Sequence, residues 1–181
     1  QMSLAKYLFI GADLSNQLST HNISDYFKFI LERIDFERDL HFYTKTSIDT
    51  LDYSGEGLNE GSKVVFAAAG IKRRELITES IGHLKLPDGF EGGKICVPGV
   101  IAIKGPQYST KEKAALEYQA LSNSLSEINN NNNKTALIVL CDDADFTSKT
   151  LNNWLWVTFT RINPATDISG VGEFIKDKHW G

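Results

Sequence analysis

The 181 residues are 41% hydrophobic and 23% charged, with a formal net charge of −4. A chain of that size and composition can bury a sizeable core and reads as an ordinary globular protein. The acidic balance, with no long basic run, argues against nucleic acid and anionic membranes as partners.

No apolar run reaches the length of a membrane span or matches a signal-peptide core. Cys96 and Cys141 lie in apolar, strand-like runs, which reads as reduced core thiols in a cytoplasmic setting. Met2 is the single methionine, so residues 1–4 read as an added leader. Residues 5–181 then read as one α/β domain cut from a longer protein, since Lys178-His179-Trp180-Gly181 breaks off without a helix stop.

In chain order, Tyr7–Ile10 is a short apolar run closed by Gly11, an edge-strand pattern. Thr20–Asn22 offers capping residues for a helix over 23–34, with Ile23, Phe27, Ile30, Leu31 and Ile34 on one face. Leu40–Thr50 favours a strand. Gly55, Gly57 and Gly61 mark a loop, and Lys63–Ala69 is a buried strand ended by Gly70.

Ile71–Gly93 predicts short irregular pieces. Its Lys72-Arg73-Arg74 cluster could grip an anion, although a solvated face is the plainer reading. Lys94–Lys104 predicts a strand bent at Pro98-Gly99. Ser109 and Glu112 form a capping box for a helix over 110–128, whose apolar stripe is Ala114, Tyr118, Leu121, Leu125 and Ile128.

The asparagines 129–133 are a low-complexity connection. Thr135–Cys141 follows as a strand with no polar alternation, which suits burial on both faces. Strand, helix and strand then imply a parallel crossover. Leu151, Trp154, Leu155, Thr158 and Ile162 repeat at helical spacing over 150–162. Asn163-Pro164 stops that helix, and Arg161 in its last turn suits the helix dipole. The whole predicts a layered α/β domain with a mostly parallel or mixed sheet flanked by helices.

Asp142, Asp143 and Asp145 crowd the carboxyl end of a strand, the edge where α/β sheets place ligands. Three carboxylates on one turn could hold a divalent cation, as a metal-dependent nucleotide-sugar transferase would require. The plainer reading is that Asp145 and one of the pair cap the next helix. Lys104 and Lys134 each flank a strand and could reach a phosphate, or simply extend into solvent. His21, His41, His83 and His179 show no ligand spacing. Trp154, Trp156 and Trp180 could stack on an aromatic ligand, with core packing the better reading for at least one of the first two.

Asp142, Asp143, Trp156, Thr160-Arg161, Pro164-Ala165 and Asp167, at these spacings behind an apolar strand, resemble the C-terminal domain of the UbiD family of decarboxylases. Ala144 interrupts the acidic run, and one extra residue precedes the helix. A weaker echo lies at Val100–Tyr108.

The resemblance implies a parent enzyme that adds or removes carbon dioxide on aromatic or α,β-unsaturated acids. It implies prenylated FMN with manganese, and often potassium, held mainly on an N-terminal catalytic domain that is missing from these residues. This chain would then be a lid and oligomer-forming domain, inactive alone and binding no cofactor itself. Asp142, Asp143, Trp156, Thr160, Arg161, Pro164 and Asp167 would be framework, with Arg161 and Asp167 as an ion pair. A non-catalytic α/β interaction domain is the remaining alternative.

Overall fold

The computed structural model describes all residues except 1–3, 16, 17, 53, 55, 56, 58, 80–84, 130–133, 174, 177, 178 and 181. Side chains are not described at 127–129, 175, 176, 179 and 180. The readings at Met2, Gly55, His83, the asparagine run and the side chains of Ile128, His179 and Trp180 therefore lie outside the described residues.

The fold is α/β, but the strands expected in one sheet are shared between two three-stranded mixed sheets. The chain divides into two compact units, one holding Gln1–Arg73, Leu155–Ser169 and Ile175–Gly181, the other Arg74–Trp154 and Gly170–Phe174.

In the first unit, β1 (Tyr7–Gly11) and β2 (Leu40–Thr46) flank β3 (Gly61–Ala68). β1 runs parallel to β3, and β2 antiparallel to it. Gly61 opens β3 rather than marking a loop. A Cβ there would lie 1.7 Å from Ile48 Cγ2, so only glycine lets the two segments approach. α1 (Ile23–Arg33) starts where Asn22 accepts the Asp25 N–H. Its apolar stripe buries Phe27, Ile30 and Leu31, and Phe159 packs edge-on to Tyr7 and Phe9 at 4.9 and 5.6 Å.

The helix predicted over 150–162 is shorter. α3 (Ala144–Lys149) comes first and ends where Thr150 turns extended, at φ −144°. The Thr150 hydroxyl then accepts the Asn153 N–H and starts α4 (Leu151–Phe159). Thr160 closes α4 by donating its hydroxyl to the Trp156 carbonyl at 2.6 Å. Pro164 begins a helix instead of merely stopping one. It sits at the first position of α5 (Pro164–Asp167), where a missing N–H costs nothing.

Ser62 holds that turn. Its hydroxyl donates to Asn163 Oδ1 and accepts the Ala165 N–H. A short antiparallel pair, β7 (Ile175–Lys176) and β8 (His179–Trp180), completes this unit.

In the second unit, Glu91–Lys104 is a hairpin, not a bent strand. β4 (Glu91–Val97) and β5 (Val100–Lys104) pair antiparallel about Pro98-Gly99. Proline suits the first turn position, and Gly99 supplies the φ of +82° needed at the second. α2 (Lys111–Asn129) is capped by Thr110, which accepts the Lys113 N–H, rather than by Ser109. β6 (Leu137–Cys141) returns parallel to β5.

Leu121 and Leu125 of α2 pack on Ile101 and Ile103, while α3 covers β4 and β5. β5 is the interior strand, buried from Val100 to Ile103. β6 is an edge strand with Leu140 45% exposed, so it is not covered on both faces as its sequence predicts. No helix of the described residues is long and apolar enough to cross a membrane.

Two carboxylates of the first unit tie stability to pH. Burial raises the pKa of Asp39, but Arg38 at 2.6 Å and the Asp35 N–H outweigh it and leave the carboxyl below its usual value. Asp52 is likewise lowered against its burial, by Ser54 and then Lys6. Because the folded values lie below the unfolded ones, this stabilisation is complete above about pH 5 and disappears as pH falls through the folded values. Asp39→Asn and Asp52→Asn should therefore lower stability at neutral pH, with the gap to wild type closing below about pH 4 in urea titrations.

Unfolding should also separate a paired hydroxyl from an orphaned one. The buried Tyr7 hydroxyl has no hydrogen-bond partner among the described residues. Tyr7→Phe should leave the unfolding midpoint unchanged or raise it, whereas Ser62→Ala should cost about 1–3 kcal/mol by orphaning the Ala165 N–H.

Candidate functional site

The second unit brings most of the chemistry-bearing side chains to one place, the carboxyl ends of β5 and β6. Lys104 and Cys141 are partners in the parallel ladder there. The chain leaves β5 through Gly105-Pro106 and leaves β6 through Asp142-Asp143.

A cavity of about 200 Å³ opens beside α2, walled by Phe90, Tyr108, Tyr118, Glu117, Cys141 and Asp142. Tyr118 is steadied by a 2.9 Å bond from its hydroxyl to the Gly170 carbonyl. A cleft of about 360 Å³ lies on the α3 side, lined by Glu91, Lys94, Lys104, Asp142, Asp143 and Asp145. Asp142 borders both.

The acidic turn resolves into three different roles. Asp143 is the N-cap of α3, accepting the Phe146 N–H at 2.9 Å, while its carbonyl takes the Thr147 hydroxyl at 2.7 Å. Asp145 stands in the first turn of α3 and pairs with Lys94 at 2.9 Å. Asp142 is exposed at the strand end and makes neither contact.

The plainer reading of the turn thus fits Asp143, and Asp145 is held by a lysine. A divalent cation wants several oxygens on one confined turn. Here one carboxylate is spent on a helix cap and another on an ion pair. Among the described residues, no group of three His, Cys, Asp or Glu side chains could hold a metal ion.

Lys104 is also engaged. It pairs with Glu91, its partner across the β4–β5 ladder, at 3.1 Å. Lys134 precedes β6 and so lies at the opposite end of the sheet from Lys104. Of the Lys72-Arg73-Arg74 cluster, Lys72 pairs with Glu32 at 3.2 Å and Arg73 with Asp35 at 2.9 Å. These contacts answer carboxylates in and just after α1 rather than an anion.

The thiols are poor nucleophiles. Burial pushes Cys96 up to about 12. Burial also raises Cys141, helped by the charges of Asp142 and Asp143. Its Sγ points at the Ile103 carbonyl, 3.6 Å away. His21 and His41 are exposed and belong to the first unit.

The remaining predicted positions lie in the first unit. Trp156 is 47% exposed, with the Arg161 guanidinium 4.6 Å above its ring. Arg161 lies beyond the last turn of α4 and does not pair with Asp167. Asp167 instead accepts the Asn163 N–H at 2.7 Å and the Thr166 hydroxyl at 2.9 Å, closing α5 on itself. Pro164 is buried. Trp154, in the second unit, is fully buried, so core packing holds for that tryptophan.

Sequence reading missed Glu91 and Lys94 because they join the cleft only through the hairpin, whose signal was Pro98-Gly99. It also missed Ser62, whose role depends on Asn163, 101 residues away.

Residues 1–68 match the family model described as the 3-octaprenyl-4-hydroxybenzoate carboxy-lyase C-terminal domain, UbiD type. The match falls on β1 to β3, not on Thr135–Asp167, whose spacing carries the resemblance in the sequence. The chain is 34% identical over 168 residues to an uncharacterized protein of Chlamydia caviae, covering 93% of this chain and 26% of that protein.

It is 30% identical to an uncharacterized protein of Chlamydia trachomatis, with the same coverage of each chain. A Chlamydia pneumoniae protein named as a subunit of 4-hydroxybenzoate decarboxylase is 33% identical over 176 residues, again covering 93% of this chain and 26% of the relative. The chain thus spans about a quarter of the length of these relatives. No solved structure matches it. Residues 1–68 are thus similar to the UbiD-type C-terminal domain, and most of the chain is similar to a relative named as a 4-hydroxybenzoate decarboxylase subunit.

Proposed function

We propose that this chain is the covering and assembly domain of a carboxy-lyase that acts on aromatic or α,β-unsaturated carboxylic acids. The observation that carries this reading is the match to a domain described as the C-terminal part of a carboxy-lyase. A relative named as a hydroxybenzoate decarboxylase supports it. The reacting residues and the cofactor then belong to the portion of the longer protein that precedes this domain. Homo-oligomer contacts and a cytoplasmic setting are part of the same proposal, and two free thiols are compatible with that setting.

The family's cofactor is prenylated FMN, which supplies the electron sink for loss of carbon dioxide, with manganese and often potassium beside it. The side chains of this chain do not fit its dianionic phosphate. The cleft on the α3 side sets four carboxylates (Glu91, Asp142, Asp143 and Asp145) against two ammonium groups, and Lys94 and Lys104 are each already paired. No step is therefore assigned to these residues, and Lys104 and Lys134 are not phosphate ligands in this reading.

What the chain contributes is exclusion of water and a rigid seat. The rings of Tyr7, Phe9, Phe27 and Phe159 form a packed aromatic cluster. The half-exposed Trp156, backed by Arg161, offers an amphipathic surface for the preceding domain.

Carbon dioxide release from hydroxybenzoic and cinnamic-type acids, measured on the longer protein loaded with cofactor and manganese, tests the proposal. The 181-residue chain should give no turnover. Trp156→Ala in the longer protein should lower the rate on the order of tenfold if the ring seats the catalytic domain. Turnover by the isolated chain, or full activity of the longer protein after removal of this domain, would defeat the reading.

A further inference from the structure

We infer that β6 is a self-pairing edge: two copies of this chain join antiparallel along Leu137–Cys141, each Lys134 facing the partner's Asp142 end. β6 is the outer strand of its sheet. Cys141 turns its carbonyl to Gly105, and Leu137 its N–H to Gly99, both on the β5 side. Alternation along a strand then aims the N–H and C=O groups of Ile138 and Leu140 at the open edge.

Those two residues can exchange main-chain bonds with the same pair on a twofold-related copy, Ile138 opposite the partner's Leu140. The strand itself, LIVLC, carries no charge, proline or bulge to block such pairing.

The flanks choose the orientation and the occupant. Lys134 lies before the strand and Asp142 after it, and both are exposed. Antiparallel pairing centred on Val139 brings Lys134 diagonal to the partner's Asp142, once at each end of the ribbon. Parallel pairing would oppose lysine to lysine and aspartate to aspartate. A second copy therefore satisfies both the edge groups and the charges.

The other apolar edge, β1, lacks this pattern. Its flanking Lys6 is held by Asp52 at 3.0 Å, and Asp13 is held by the Ser15 hydroxyl and the Leu18 N–H. β4 is blunted by Glu91, Lys94 and a register shift between Gly92 and Lys94.

Self-association, proposed above, gains a surface in this way, yet the edge pairing stands or falls separately from the carboxy-lyase reading. Sedimentation equilibrium of the 181-residue chain should show a concentration-dependent dimer. Leu140→Pro removes an N–H that the β5 ladder does not use, and should give a folded monomer by far-ultraviolet circular dichroism.

Asp142→Lys should raise the dimer dissociation constant on the order of tenfold at low salt, and Lys134→Asp in the same chain should restore it. If Leu140→Pro fails to fold, the charge-reversal pair decides. A wild-type chain that stays monomeric overturns the inference, as it would if a strand from elsewhere in the longer protein were the true occupant. A dimer indifferent to charge reversal overturns it as well. Neither result touches the test by carbon dioxide release.

Discussion

A sheet of three strands has one interior strand, and that constraint shapes both units. β3 and β5 take the interior places. β3 buries Gly61, Ser62, Val64, Phe66 and Ala68, and β5 is buried along four successive residues. Their neighbours are each covered by one partner strand and by whatever helix lies above. Burial of the interior strand supplies the apolar area that holds each unit together. The edges are left to be managed by charge, by a bulge or by another chain.

The same constraint explains which parts of the fold were legible in the sequence. KVVFAAA reads as a buried strand, and its Val64, Phe66 and Ala68 are buried; the strand after Gly99 is buried from Val100 to Ile103. TALIVLC reads the same way by composition, yet β6 is an edge with Leu140 half open to solvent. Composition reports that a strand can be buried, while its place in the sheet depends on pairing partners that periodicity does not name.

The helices show the complementary limit. α1 was readable from its stripe and cap, and α2 from its stripe, although its cap falls at Thr110 instead of Ser109. Of the α3–α4 stretch only the apolar α4 was legible: α3, Ala144–Lys149, is mostly polar with no apolar stripe, so the short helix before the break at Thr150 went unread. The break is set by one hydroxyl that accepts the Asn153 N–H. Pro164 was readable as an end but not as a beginning, since a proline after asparagine suits either. Around the acidic turn, local chemistry was legible and long-range chemistry was not. That one carboxylate would cap the following helix follows from its position two residues past the strand, and Asp143 does so. That Lys94 would take Asp145, and Glu91 would take Lys104, needs the hairpin first. Once both pairs form, the cleft holds little uncompensated positive charge, so lysines flanking the strands lose their appeal as anion ligands. Arg161 repeats the lesson. In the sequence it stands six residues from a carboxylate, but the chain turns at Asn163 and leaves its guanidinium over Trp156 while Asp167 closes α5.

The distribution of these contacts bears on what such a domain can contribute to an enzyme. Carboxylates on the described surface are repeatedly spent inside the fold, on caps, turns and ion pairs, as Asp39, Asp52, Asp143 and Asp145 are. A group committed to a cap must remain ionised and still, which is the opposite of what a proton-shuttling acid or base requires. Burial raises the pKa of both thiols. A surface built this way stabilises its own turns at the expense of reactivity. Asp142 and Lys134 stand outside that pattern: both are exposed, and they bracket a strand whose outer main-chain groups have no partner within the described sheet. The features left over after the fold has been satisfied are those of an interface, and the physical case for a role in assembly rests on that remainder rather than on any single reactive group.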